Sequence, residues 1–188
     1  MALAALLALV AGAAIAWHAI TTRPPVPAVS VSHASAVSAK SKMQSLNDAR
    51  TRAAQTRQPV EVVQTFTDAE LSSAANDQAE SRKLPFSHMI LHATAGGALE
   101  GVATVKVAGQ DVPVSLEIVP SVTTDNHLVL TVTNVDLGML PLPGPMVNQV
   151  RQSVKDAMNV GILPPGFTDV HVNVTEGRVT ISGVAQPS

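Results

Sequence analysis

Val112-Pro-Val-Ser-Leu-Glu-Ile-Val119 decides how this chain is read. Val112, Val114, Leu116 and Ile118 alternate with Pro113, Ser115, Glu117 and Val119, the period of two expected of a strand with one face in a core. Pro113 has no backbone N–H to give a neighbouring strand, so it pushes this strand toward a sheet edge or a bulge. Ala108-Gly-Gln-Asp111 is a turn before it, and Thr123-Thr-Asp-Asn126 a turn after it.

Working outward from these turns, Leu99–Val107 precedes the first and His127–Leu137 follows the second, with Leu128, Leu130 and Val132 on one face. Gly96-Gly97 separates Leu99 from a further β-prone run, Phe86–Thr94. Four strands joined by short turns predict an antiparallel meander. Leu140-Pro-Leu-Pro-Gly-Pro145 then stops strand pairing and leaves Pro145 suited to the first position of a helix. That helix has Met146, Val147, Val150, Val154, Ala157 and Met158 on one side and Gln149, Arg151, Gln152, Lys155 and Asp156 on the other. Gly161 and Pro164-Pro165-Gly166 end it. Val170, Val172 and Val174 lead through Glu176-Gly177 to Val179 and Ile181, a closing hairpin.

Upstream, Val60–Phe66 is short and β-rich, and Thr67-Asp-Ala-Glu70 has the spacing of a capping box, in which the threonine hydroxyl accepts the Glu70 N–H and the carboxylate reaches back. A helix is expected from there to about Arg82, ending before Pro85, with Leu71, Ala74, Ala75 and Ala79 as its buried stripe. The fold class is therefore α+β: an antiparallel, curved β-meander packed on an amphipathic helix, occupying residues 60–184.

Two further regions precede it. Residues 23–59 begin with Pro24, Pro25 and Pro27 and read as a Pro/Ser/Ala-rich tether. Within it Lys40–Arg57 carries a thin apolar stripe of Met43, Leu46, Ala49, Ala53 and Ala54, and is expected to be a solvated basic linker helix. Residues 1–22 hold an uncharged apolar run from Ala2 to Ile20. At ~1.5 Å per residue that run extends ~28 Å as a helix, about the thickness of the bilayer's hydrocarbon. Ala14-Ile15-Ala16 is equally a small-x-small cleavage pattern, so a retained transmembrane anchor and a signal cut near Ala16 both remain open. Arg23 and Lys40 behind the run vote for a cytoplasmic domain, and the cleavage pattern votes for export.

Composition narrows the function classes. The 188 residues are 46% hydrophobic and 2% aromatic with a net charge of −2, which leaves no basic, stacking-rich face for nucleic acid. With no cysteine there is neither a disulfide framework nor a thiolate nucleophile. His88 and His92 are four apart, ~13 Å along a strand, too far to share one metal ion. His127 and His171 alternate away from the apolar stripe and read as surface residues, and the carboxylates Glu100, Asp111, Glu117, Asp125, Asp136 and Asp169 stand singly. No nucleophile elbow, zincin or phosphate-loop pattern occurs. Neither catalytic residues nor a cofactor or metal is expected.

Phe66-Thr-Asp-Ala-Glu-Leu71, then Val105-x-Val-x-Gly-Gln-x-Val-Pro-Val-Ser-Leu116, then Leu137-Gly-Met-Leu-Pro-Leu-Pro143 before an amphipathic helix resemble the YpmS-like family of bacterial membrane-anchored proteins. The resemblance covers about residues 60–183 and implies an N-terminal anchor with an extracytoplasmic domain, akin to tubular lipid-binding folds. This chain departs from the family in its longer tether and in lacking the Asn that usually follows the acidic-Leu helix start. The family supplies no catalytic residues to carry over. Membrane contact through residues 2–20 and a lipid ligand are thus the expected partners. The expected site is a groove between the strand face of Val114, Leu116 and Ile118 and the helix stripe of Val147, Val150, Val154 and Met158. The same stripe can instead simply close a core. The alternative function is a membrane-tethered adaptor for envelope proteins, using an exposed strand edge at Pro113 or the proline run at 140–145.

Overall fold

A computed structural model of the chain describes residues 27–84, 86–107, 110–137, 140–141, 145, 148, 152 and 166–187. The elements given bounds among the described residues are, in order, α1 (His33–Thr56), β1 (Val60–Thr67), α2 (Asp68–Ser81), β2 (Phe86–Ala93), β3 (Leu99–Val107), β4 (Gln110–Val122), β5 (Leu128–Leu137), β6 (Leu140–Pro141), β7 (Phe167–Thr175) and β8 (Arg178–Ala185). The class is α+β and every strand pair is antiparallel. The strands form two sheets. One is the expected meander, in the order β2-β3-β4-β5-β6; the other joins the first strand to the closing hairpin as β1-β8-β7.

Turn chemistry explains the hairpins. Gly177, at φ 71°, occupies the left-handed position of the two-residue turn between β7 and β8, and Asn126, at φ 60°, takes the same conformation in the longer turn, residues 123–127, between β4 and β5. Gly101 is required by packing instead. A side chain there would come within 2.7 Å of a Leu116 methyl and 3.0 Å of a Leu91 methyl, so its bare backbone lets the two leucines meet over β3.

The β4 strand is central, paired with β3 on one side and β5 on the other, which corrects the edge half of the edge-or-bulge reading of Pro113; the bulge in this strand lies further on, between Glu117 and Ile118. Pro113 faces Thr104 on β3. Pro120 is tolerated because it stands where only one neighbour remains. It faces Leu130 on β5 after the β3 ladder has stopped at Ile118.

The helix α1 is a second correction. It starts at His33, capped by Ser32, whose side chain accepts the Ser35 N–H, and it buries Ala39, Leu46, Ala49 and Ala53 almost completely. Expected as a solvated linker, it lies against the sheet of β1, β8 and β7. Leu46, Ala49 and Ala53 share a cluster with Val62, Phe167, Val170 and Ala185. A stripe of alanines has little apolar area per residue, so it reads as weak in sequence; the same small side chains let the helix axis come close to a sheet, where even a thin stripe excludes water. Pro145, Asn148 and Gln152 are helical and exposed; Val147, Val150, Val154 and Met158 lie outside the described residues, as does the apolar run at 2–20. Among the described residues no helix is long and apolar enough to cross a membrane.

Candidate functional site

The helix α2 has two working faces, and they build the site. The capping box expected at Thr67 is present in full: Thr67 Oγ1 accepts the Glu70 N–H at 3.3 Å, and Glu70 Oε2 accepts the Thr67 N–H at 2.9 Å. This fixes the helix start directly on the end of β1. The first face is polar and meets the edge of β2. Asp68 Oδ1 accepts the Ala93 N–H at 2.9 Å. Ser72 Oγ accepts the Leu91 N–H at 2.8 Å and donates to the Leu91 carbonyl at 3.2 Å. Asn76 Oδ1 accepts the Met89 N–H at 2.9 Å and its Nδ2 donates to the Met89 carbonyl at 2.6 Å.

The match is geometric. Four helical residues advance about 6 Å and two strand residues about 6.6 Å, so side chains at i, i+4 and i+8 of a helix can answer alternate residues of a strand. The Ala93 carbonyl accepts from Gly177 at 2.8 Å, which completes the outward backbone groups of Met89, Leu91 and Ala93. An edge that would otherwise be free to pair with another strand is saturated. The sequence held the signal, a polar stripe of Asp68, Ser72 and Asn76. Periodicity alone does not single it out, because the apolar stripe of Leu71, Ala74 and Ala75 is the pattern that marks a packing face.

The second face of α2, Leu71, Ala74, Ala75 and Gln78, borders a cavity of about 110 Å³. Ala39 and Met43 of α1 close it from above. Phe66, Val179 and Ile181 of one sheet, with Leu91, Leu99, Leu128 and Leu130 of the other, form the floor and walls. The expected strand residues Val114, Leu116 and Ile118 are buried in the same core, at 1%, 4% and 0% exposure, but do not border this space. The cavity thus lies between the two sheets and the two helices.

Two polar groups interrupt the apolar lining, Glu70 and Gln78, eight residues apart along α2. Glu70 is only 7% exposed. Burial works against its charge, but hydrogen bonds from Lys42, Ser38 and the Thr67 backbone, with the charge of Lys42, outweigh it and hold its pKa at about 2. Lys42 Nζ stands 2.7 Å from each Glu70 oxygen, donates to the Thr65 carbonyl at 2.6 Å and lies 5.7 Å from the centre of the Phe66 ring. The pair ties α1 to the β1–α2 junction at the rim of the cavity and leaves Glu70 fully engaged, with no lone pair offered to a substrate.

The histidines separate. His88, at φ 53° within the β2 bulge, is exposed and touches Ser87 Oγ at 3.2 Å. His92 is 11% exposed and lies between Asp68 and Glu176. His127 and His171 are exposed. Among the described residues no group of three or more His, Asp or Glu side chains is arranged to hold a metal ion. No family model, curated protein or solved structure matches the chain.

Proposed function

We propose that this chain is a non-enzymatic, membrane-tethered, extracytoplasmic domain of the YpmS-like kind that binds lipid or another apolar ligand in the cavity between its helices and sheets. The observation that carries the reading is the cavity: about 110 Å³, walled by aliphatic side chains and Phe66, with a neutralised ion pair at its rim. For scale, an engineered apolar cavity of ~150 Å³ stays dry and takes up benzene or xenon. A space of this size suits a small apolar molecule or the end of one acyl chain, not a whole diacyl lipid. Residues 2–20, read as an anchor, keep the domain beside its source of such chains.

Native mass spectrometry of the full chain, with organic extraction of whatever it carries, tests the reading. The expected result is a stoichiometric apolar adduct that is absent from Ala75→Leu, whose longer side chain enters the cavity. An adduct-free wild-type chain whose only response to Ala75→Leu is higher stability ends the reading, because the cavity is then a packing void.

A further inference from the structure

Three chain segments far apart in sequence meet at His92: the start of α2, the end of β2, and the turn between β7 and β8. His92 Nδ1 is 2.6 Å from Asp68 Oδ2, and its Nε2 is 3.1 Å from Glu176 Oε1. Each carboxylate spends its other oxygen on the same stretch of backbone. Asp68 Oδ1 accepts from Ala93 N at 2.9 Å, and Glu176 Oε2 accepts from Ala95 N at 3.1 Å. Beneath them, Gly177 N donates to the Ala93 carbonyl at 2.8 Å and Asp68 N to the Gly177 carbonyl at 3.3 Å. This is where the turn of the three-stranded sheet is fastened to the edge of the five-stranded one.

An ionised carboxylate only accepts hydrogen bonds, and a neutral imidazole has one N–H. Two carboxylates on opposite ring nitrogens therefore require the doubly protonated ring. We propose that His92 is a proton-controlled staple between the two sheets: as imidazolium it clips the β7–β8 turn to the β2–β3 turn, and as neutral imidazole it lets go of Glu176. Glu176 is the arm that leaves because its side chain is 67% exposed, whereas that of Asp68 is 14% exposed and sits in the first turn of α2.

The carboxylates around the ring agree on direction. Asp68 on α2 and Glu176 on the turn are in contact with it. Glu100 stands opposite it on β3, and the cation of the hairpin, Arg178, stands across from Thr67 on β1. The hydrogen bond to Asp68 is the largest influence and raises the His92 pKa above its ordinary 6.5, against an opposing contribution from burial and with help from Glu176. A raised folded-state pKa means that the staple's contribution is complete below pH 6.5 and is lost as pH climbs through the raised value. The staple does not depend on the cavity being occupied, so its failure and that of the lipid reading are separable.

The test is nitrogen-15 NMR of the full chain through pH 5 to 9, following the His92 ring together with the exchange of the Ala95 and Gly177 amides. Expected are two ring N–H signals at low pH, a midpoint above 6.5, and protection of the Ala95 amide that falls by about tenfold across the same midpoint after correction for base catalysis. Gly177, bonded to the Ala93 carbonyl, should lose less. Glu176→Gln, an exposed change that leaves the fold intact, should lower the midpoint; His92→Gln should make Ala95 protection independent of pH. A midpoint at or below 6.5, or Ala95 protection that is flat across the titration in the wild-type chain, overturns the proposal.

Discussion

The two helices meet the sheets by opposite chemistry. Helix α1 sets Leu46, Ala49 and Ala53 against Val62 and Phe167, an apolar contact flanked by two hydrogen bonds to β1, Lys42 Nζ to the Thr65 carbonyl and Gln64 Nε2 to Ser45 Oγ. Helix α2 instead turns Asp68, Ser72 and Asn76 to the backbone of β2 and keeps its aliphatic side chains for the cavity. The difference follows from what each helix covers. Under α1 lies a sheet face whose backbone is already hydrogen-bonded within itself, so side-chain burial is the main gain left. Beside α2 lies a strand edge, whose N–H and C=O groups must find partners or stay wet. Polar residues in a helix are therefore not evidence of a solvated face when a strand edge is the neighbour.

The largest effect expected is at the apolar contact. Leu46→Ala removes a fully buried side chain from a cluster of small neighbours that cannot collapse far, and should cost about 3 kcal/mol, read as a lower urea midpoint. Should the loss be under ~1 kcal/mol, α1 contributes little to the fold and the contrast between the helices fails. Next comes the polar contact. Asn76→Leu fills similar volume but leaves both the N–H and the carbonyl of Met89 unanswered, for a loss of about 2 kcal/mol and new self-association through the opened edge, visible by sedimentation. A stable monomer would show that the edge needs no guard.

Glu70 sharpens the comparison because it belongs to both helices through Lys42. Its folded pKa of about 2 lies below the ordinary 4.5, so its stabilisation is present above pH 4.5 and disappears as pH falls toward 2. Glu70→Gln should cost about 1.5 kcal/mol at pH 7 and flatten the decline in urea midpoint between pH 4.5 and 2; an unchanged acid limb would remove Glu70 from the account. The smallest effect is expected at Val63. It is 64% exposed on the outer face of β1, and Val63→Thr should move the midpoint by less than ~0.5 kcal/mol.

Much of the site was legible only in pieces. Thr67 and Glu70 announced the helix start, and Glu176-Gly177 the turn, because capping and turn chemistry act over three or four residues. Nothing local connects Glu176 to His92, 84 residues away, or Lys42 to Glu70, since ion pairs across elements follow from how those elements dock. Sequence spacing relates His92 only to His88 along its own strand, whereas its partners come from a helix and a distant turn.

Local periodicity and turn residues by themselves determined the elements: the alternation at 112–119, the meander around it, the capped helix at Thr67 and the closing hairpin. Those signals are local, because backbone hydrogen bonding and side-chain direction repeat every two or 3.6 residues. Tertiary structure alone decided that β1 joins the hairpin in a second sheet, that the alanine stripe of α1 is core, that Pro113 sits in a central strand, and that the polar stripe of α2 closes an edge. Each of those depends on which surfaces are brought together, and a thin apolar stripe or a polar one acquires its meaning only from what it faces.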